Sequence, residues 1–288
     1  MTVGQRGKRI ILYLLLLMVY NSSAAQDFGI YVSPGLINYG GDLQSTVYTF
    51  SQSGFAVAAG ATYRIKKFVV RAGITTGKIQ GSDSANSEFK QRNLSFQSKI
   101  FEGSLGLEYD IFDLDEKKFT PYGFAGLAVY HHDPYTYYNG QKIYLQPLST
   151  EGQGLPEYPG IKSYSLTQMA VPLGIGFKYK VSEQFHVGVE FCSRFLFTDY
   201  LDDVSSRYPD ETILQKGKGQ LAVDLSFRGD EVNPGAPFPV GNVRGNPDHN
   251  DNYYTSSLTL IYVLSGRSEF SGSGAGHRKS RSIGCPKL

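Results

Sequence analysis

Residues 101–111 have the sequence FEGSLGLEYDI, which alternates between apolar side chains and polar or small ones. In an extended chain Phe101, Leu105 and Tyr109 fall on one face, and Glu102 and Glu108 fall on the other, because successive side chains point to opposite sides of a strand. The stretch therefore predicts a β-strand of 11 residues. Strands in soluble sheets are usually about 5–6 residues long, whereas a tilted transmembrane strand needs about 9–11.

Seven other segments repeat this alternation, with an apolar and aromatic face opposite a face of glycine, small and charged residues. They are 28–38, 55–65, 68–76, 119–130, 169–181, 185–197 and a last strand through Leu258, Leu260, Tyr262 and Leu264. A soluble sandwich would bury the apolar face, whereas a membrane barrel would turn it towards lipid. Alternation by itself does not separate these two folds.

The connections between the strands do separate them. Three are short, at 66–67, 113–118 and 182–184, and they alternate with four long ones, at 40–53, 78–97, 131–166 and 199–252. Outer-membrane barrels have short periplasmic turns and long external loops. We therefore predict an all-β fold for residues 26–264, an eight-stranded antiparallel transmembrane (outer-membrane) β-barrel with short periplasmic turns and long external loops.

The two ends of the chain lie outside the predicted barrel. Residues 1–25 combine a basic start, an apolar run and small residues before a cleavage site between Ala25 and Gln26, which is typical of a signal peptide. Residues 265–288 are rich in serine, glycine and basic residues and predict a disordered tail, either a basic tether or a plain terminus. We expect the mature protein in the outer membrane of a Gram-negative bacterium.

Composition excludes several classes of protein. A net charge of +2 over 288 residues is no footprint for nucleic-acid binding, and two cysteines cannot build a disulfide scaffold or a four-cysteine zinc site. No apolar run apart from the N-terminal one approaches a transmembrane helix in length. We expect no cofactor and no metal.

An eight-stranded barrel is narrow, and its own side chains fill it. The charged residues expected to face the lumen are nearly balanced in sign, which predicts a plug of ion pairs and no solute pore. They are Arg64, Arg71, Glu102, Glu108, Lys178, Glu190 and Arg194, with Asp110 and Lys180 beside them. The alternative is that the outermost of them meet water at the rims.

Aromatic residues gather near the predicted strand ends, where a girdle at the membrane interface is expected. They are Tyr122, Tyr130, Phe195, Phe197, Tyr253 and Tyr254. Tyrosine and phenylalanine must form this girdle because the chain contains no tryptophan. Tyr135, Tyr137 and Tyr138 are assigned to the same girdle, with stacking on a glycan or lipid headgroup as the alternative.

Three loop motifs could carry chemistry. The segment 150–155 lacks the lysine of a phosphate-binding loop, so it predicts structural loop packing. Asp199, Asp202 and Asp203 could bind calcium, although a helix start or a solvated acidic turn fits their spacing better. His131 and His132 would point to opposite faces of a strand, so they predict an exposed loop shoulder and no shared ion.

The predicted periplasmic turns are strongly charged. Lys66, Lys67, Asp115, Lys117 and Lys118 lie in them and are candidate contacts for a periplasmic protein. The alternative is an ordinary solvated surface.

Several segments spread over 28–264 resemble a known family in the same order along the chain. They are NYGGDL (38–43), RNLSF (92–96), FTPYGFAG (119–126), LQPL (145–148), TEGQGL (150–155), YSLTQ (164–168), FTDYLDDV (197–204), RGNP (244–247) and ND (250–251). The chain resembles the PorG-like outer-membrane β-barrel proteins of the type IX secretion system, which accompany gliding motility and surface-protein export.

The resemblance implies a non-catalytic outer-membrane component that anchors or positions the periplasmic part of the secretion machinery. Its implied partners are periplasmic and outer-membrane proteins of that machinery and outer-membrane lipid. This chain departs from the pattern in continuing beyond Leu264, where the last strand ends. Two other functions stay open, an outer-membrane lipid-modifying enzyme and a surface adhesin or glycan-binding barrel.

Overall fold

The computed structural model describes residues 26–44, 50–85 and 90–264. The predicted signal peptide before Gln26 and the tail 265–288, with Cys285, lie outside the described residues. Cys192 is a buried free cysteine.

Eight long strands form the body of the protein, and a short hairpin and two short helices lie in its loops. The strands are β1 Gln26–Gly40, β2 Gly54–Ile65, β3 Phe68–Ser82, β4 Ser95–Asp110, β5 Phe119–His131, β6 Tyr135–Tyr138, β7 Gln141–Tyr144, β8 Thr167–Lys180, β9 Phe185–Leu196 and β10 Asn252–Val263. The helices are α1 Glu211–Lys218 and α2 Gln220–Ser226.

The long strands close into an antiparallel barrel. Each pairs with its neighbour in the chain, with β5 joining β8, and β1 pairs with β2 on one side and with β10 on the other. Gly29 lies opposite Val263 at this closing seam. The predicted eight-stranded antiparallel barrel is confirmed. Within the described ranges, no helix is both long enough and apolar enough to cross a membrane.

The alternating faces point as a membrane barrel requires. The apolar residues face outwards, and Leu105, Leu127 and Ile175 are 59%, 61% and 69% exposed in the isolated chain. Glu102 and Glu108, which alternate with them along β4, are buried inside. A soluble sandwich would bury the apolar face and expose these carboxylates. The outer wall is therefore a lipid-facing surface and the protein is a transmembrane barrel.

The barrel strands continue further outwards than the apolar pattern predicts. β4 begins at Ser95 and not at Phe101, and β10 begins at Asn252. Along the extension of β4 the pattern is reversed, with Phe96 and Ile100 buried inside and Gln97 and Lys99 on the outer face, so the apolar outer face no longer marks the strand. β6 and β7 form a hairpin inside the third long loop and join β4 where Gln97 pairs with Tyr135.

The predicted aromatic girdle is wrong at four positions. Phe195 and Phe197 are exposed as expected, but four tyrosines are buried: Tyr122, Tyr130, Tyr253 and Tyr254. Tyr122 and Tyr253 face the lumen, where their hydroxyls donate to its carboxylates. Tyr253 donates to Glu102 over 2.6 Å and Tyr122 donates to Glu190 over 2.9 Å.

Candidate functional site

Ion pairs fill the periplasmic half of the lumen. Arg71 on β3 reaches Glu108 on β4 over 3.2 Å and also bonds Glu190 on β9. Lys178 on β8 bonds Glu108 and lies 3.0 Å from Asp110. Apart from the contact between Arg71 and Glu108, which lie on adjacent strands, these contacts cross the lumen between strands that do not pair with each other.

A second pair lies nearer the external end. Arg194 on β9 meets Glu102 over 3.1 Å and donates to Thr255 over 2.6 Å. Glu102 is fully buried, and Tyr253 is its further donor. Arg64 closes the other end of the network with a 2.6 Å contact to Asp110. The structure thus brings all seven predicted lumen charges into ion pairs.

Lys180, which was also expected in the lumen, lies at the periplasmic rim. Its ammonium contacts the exposed Glu183 over 2.7 Å. The alternative prediction, that the outermost charges meet water, describes this residue.

Little space remains inside the barrel. Two lumen cavities of about 20 and 30 Å³ lie on either side of Arg71 and Glu190. A water molecule needs about 10–15 Å³ of such volume, so each cavity has room for one or two waters. The lumen acts as a packed, hydrogen-bonded core.

The predicted contact residues at the periplasmic end are well exposed, with one exception. Lys66, Asp115, Lys117 and Lys118 are exposed, whereas Lys67 is half-buried and donates to the carbonyl of Ile111 over 3.1 Å. Lys117 has its ammonium 3.8 Å from the centroid of the Phe112 ring. The two turns, 66–67 and 113–118, therefore present exposed charges close to each other. The hydrogen bond between Lys67 and Ile111 holds the backbone beside them in place.

The long loops fold into a layer over the opposite end, here called the external cap, comprising the described residues of 41–53, 83–94, 132–166 and 197–251. A fully buried ion pair holds its centre, with Arg244 2.8 Å from Glu151. Arg244 also donates to the carbonyl of Asp203 over 2.6 Å. Glu151 accepts from the backbone N–H groups of Ser205 and Ser206, each over 2.9 Å. Segment 150–155 is thus packed structural loop.

The acidic residues of the cap are neither a helix start nor a solvated turn, which corrects the prediction. Asp199, Asp202 and Asp203 are all buried in irregular backbone. Asp202 accepts from the Tyr39 hydroxyl over 2.5 Å, and Asp203 accepts from the Tyr164 hydroxyl over 2.7 Å. No group of three metal-ligating side chains is suitably placed within the described ranges.

Burial changes the proton affinity of these carboxyl groups. It raises the pKa of Asp199 to about 9, and the nearby Asp202 and Asp42 carboxylates raise it further. Burial also raises the pKa of Asp203 to about 6, although Arg244 opposes that shift. The pKa of Asp251 lies well above its usual value because the group is buried and Asp202 is close.

The two histidines have different environments, and only one matches the prediction. His131 is exposed and lies 3.0 Å from the Thr167 hydroxyl. His132 is fully buried, with its ring stacked on Tyr164. Burial lowers the pKa of His132 to about 4, so it is a neutral packing residue.

The three tyrosines assigned to the girdle lie instead in β6 of the external hairpin. Tyr135 is buried, Tyr138 is half-buried and hydrogen-bonds Asp224 over 3.2 Å, and Tyr137 is 53% exposed. Their position depends on β6 folding back over the barrel end, which the sequence pattern did not indicate.

Sequence reasoning missed the arginines of the cap. Arg92 pairs with the buried Asp83 over 2.6 Å and donates to the carbonyl of Asp42 over 2.9 Å. Together with Arg244 it ties all four loops of the cap to one another. The available signal was a single arginine within an otherwise weakly charged loop segment, as in RNLSF and RGNP.

Comparison with known sequences gives a family. The model of one family matches residues 8–221, which is more than half of the chain. The chain belongs to the family described as Domain of unknown function (DUF6089). No curated protein matches this DUF6089 chain.

Solved structures similar to this DUF6089 protein include Neisserial surface protein A, with 12% identity, a TM-score of 0.44 and coverage of 83% of this chain and 98% of that one. The attachment invasion locus protein Ail of Yersinia pestis, in complex with a heparin analogue, has 9% identity, a TM-score of 0.41 and coverage of 83% and 99%. OprG of Pseudomonas aeruginosa has 11% identity, a TM-score of 0.38 and coverage of 84% and 98%. This chain's own closed sheet and apolar wall mark it as a transmembrane barrel.

Proposed function

We propose that this outer-membrane barrel is a non-catalytic component of the type IX protein secretion and gliding machinery, where it anchors or positions the periplasmic complex. The observation that carries the proposal is the filled lumen. Arg71, Glu108, Glu190 and Lys178 close the barrel with ion pairs, so the protein offers its partners a fixed platform in the membrane and no passage through it.

The periplasmic end supports an anchoring role. Lys66 and Lys118 are exposed on the turns after β2 and β4. Both turns are short, and hydrogen bonds fix them against each other, since Lys67 of one donates to Ile111 of the other. A rigid charged surface loses little conformational entropy on binding.

Two polar groups of the external cap have structural roles, which supports the non-catalytic part of the proposal. His132 is buried between aromatic rings and Glu151 is held in an ion pair with Arg244. The type IX secretion machinery is inferred from the resemblance to PorG-like proteins. The filled lumen and the exposed periplasmic turns are compatible with that role.

The test is deletion of the gene, followed by complementation. We expect deletion to abolish surface export of secreted cargo and wild-type protein to restore it. Lys66→Glu with Lys118→Glu should restore export poorly and should lose periplasmic proteins on detergent co-purification. The matched control is Lys162→Glu with Lys216→Glu, two exposed lysines at the external end. Unchanged export in the deletion strain would reject the proposal.

A second candidate, a surface adhesin, is favoured by the ordered external hairpin. Tyr137 and Tyr144 are exposed on it, and the Lys142 ammonium lies 4.5 Å from the Tyr144 ring centroid. Replacement of residues 134–145 by a short turn should then abolish adhesion and spare export. The same variant would leave both properties intact if the first proposal alone holds.

A further inference from the structure

On the lipid-facing side of β3 and β4 the side chains change in three steps towards the external end, from apolar to basic and then to polar uncharged. Ile74 pairs with Gly103 within the apolar belt, Lys78 pairs with Lys99 beyond it, and Gln80 pairs with Gln97 beyond the lysines. A strand rises about 3.4 Å per residue. The lysines thus lie about 14 Å above Ile74, and the glutamines about 7 Å further out.

An apolar furrow of about 780 Å³ occupies the lowest step. Its sides are large residues such as Leu105, Leu127 and Met169, and small residues such as Gly103 and Ala72 leave it open. A Cβ atom added to Gly103 would meet nothing within 4 Å. The furrow is therefore an open apolar depression on the lipid-facing wall, where acyl chains can lie.

Two exposed lysines occupy the middle step. Lys78 and Lys99 are directly opposite on adjacent strands, where like charges repel. Within the part of the chain that the structure describes, neither forms an ion pair. Long basic side chains at the edge of the apolar belt hold their charge at headgroup level. This pair is therefore complementary to an anionic headgroup.

A polar groove of about 490 Å³ occupies the outermost step. Its lining combines amides and hydroxyls: Gln52, Gln80, Ser82, Ser95, Gln97 and Thr136. Tyr137 lies at its edge with half of its surface exposed. Arg228 also lines it, but its charge is matched by Glu231 at 2.8 Å.

Two buried acceptors in this groove are unsatisfied. Gln52 is 7% exposed and its Nε2 donates to the carbonyl of Ser82 over 3.3 Å. Its Oε1, like the Oε1 of Gln97, accepts no hydrogen bond from the described residues. A buried acceptor without a donor is costly, so the groove favours a ligand rich in hydroxyl groups. Neutral amides, hydroxyls and one exposed ring suit a sugar.

We propose that this face binds a phosphorylated glycolipid of the outer leaflet. Its acyl chains lie in the furrow below Lys78 and Lys99, its phosphate lies against the two ammonium groups, and its sugar enters the groove at Gln52 and Gln97. The three chemistries follow one another along the same pair of strands in the order that such a lipid presents them. The site is separate from the periplasmic surface of the proposed export role.

The test measures binding of lipid A, an acylated disaccharide bisphosphate, to the purified full chain in detergent by native mass spectrometry. Lys78→Gln with Lys99→Gln should weaken binding roughly 30-fold, because each basic residue near an anionic lipid surface contributes about fivefold. The control Lys66→Gln with Lys118→Gln should bind as the wild type does. The variant Lys78→Arg with Lys99→Arg should retain binding. Equal affinity of the two glutamine variants would overturn the proposal.

Two further variants test the furrow and the sugar groove. Gly103→Leu fills the furrow, whereas Gly123→Leu adds the same side chain at another open outward position outside it; the first should weaken lipid A binding and the second should not. Gln97→Leu should weaken lipid A binding but not that of phosphatidylglycerol, which carries phosphate without sugar. Equal binding of the two lipids by wild type, with no effect of Gln97→Leu, would show general attraction to anionic lipid and refute the site. Unboiled gel mobility verifies folding of each variant.

Discussion

The barrel lumen and the external cap both bury charged residues, but they balance them differently. In the lumen four cations meet four carboxylates: Arg64, Arg71, Lys178 and Arg194 with Glu102, Glu108, Asp110 and Glu190. In the cap two arginines, the half-buried Arg92 and the buried Arg244, serve a larger set of buried acids: Asp83, Glu151, Asp199, Asp202, Asp203 and Asp251.

The difference follows from how each region is built. Strand register fixes the heights of the lumen residues, so opposite charges can be matched across the barrel. The cap is irregular and instead satisfies its acids with hydroxyl and backbone donors, as Tyr39 and Tyr164 do for Asp202 and Asp203. The lumen is thus neutral by pairing, whereas the cap holds surplus carboxyl groups whose protonation varies with pH.

The largest effect should come from the central ion pair of the cap. Arg244→Met leaves Glu151 buried without its cation, which costs about 3–5 kcal/mol. Because the barrel does not depend on this pair, we expect the loops 132–166 and 197–251 to become sensitive to protease while heat-modifiable gel mobility persists. The control Arg207→Met removes an exposed arginine and should change neither. Loss of the barrel together with the cap would show that the two regions fold as one unit.

The next effect concerns the lumen. Arg194→Met should destabilise the barrel by about 3 kcal/mol, towards the lower end of the range because Tyr253 still donates to Glu102. Adding Glu102→Gln to that variant should recover part of the loss, since no buried charge is then left unpaired. The temperature at which unboiled mobility is lost measures both. If the double variant were less stable than Arg194→Met, the conclusion that the lumen is stabilised by pairing opposite charges would be wrong.

The last effect is confined to the external cap and is its response to pH. The folded pKa of Asp199 is about 9 and that of Asp203 about 6, both above the unfolded value, so the folded cap holds protons that the unfolded chain releases. Their stabilising contribution is complete below about pH 4 and is lost as the pH rises towards 9.

Protease cleavage of 197–251 should therefore accelerate between about pH 5 and pH 9. Asp199→Asn should flatten this profile and protect the cap at high pH, because the amide needs no proton to stay neutral. The barrel's unboiled mobility serves as the internal control. An identical pH profile for Asp199→Asn and wild type would show that Asp199 does not cause the pH response of the cap.

Much of the lumen was predictable because it follows from alternation. Once Phe101 and Leu105 face lipid, Glu102 and Glu108 must face inwards, and the same rule places Arg71 and Lys178 opposite them. Two tyrosines obey the same alternation. Tyr122 and Tyr253 occupy inward positions, and their place near strand ends concealed that they are donors to lumen carboxylates.

The cap was not predictable in the same way. Glu151 and Arg244 are separated by 92 residues and lie in segments without periodicity, so nothing local indicates that they meet. Asp199 and Asp202 were predicted to be solvated because acidic residues are usually exposed. Their burial depends on four loops covering one another, which is a property of the assembled barrel end.

Alternation and spacing are enough to predict the strand number, the lipid-facing wall, the lumen charges and the division into short turns and long loops, because each depends on a two-residue period or on distance along the chain. They do not predict which charges pair, how the external cap buries its acids, or how the furrow, the lysines and the polar groove align on β3 and β4. Those features depend on strand register and on loop contacts between distant segments, and both are fixed only when the barrel closes.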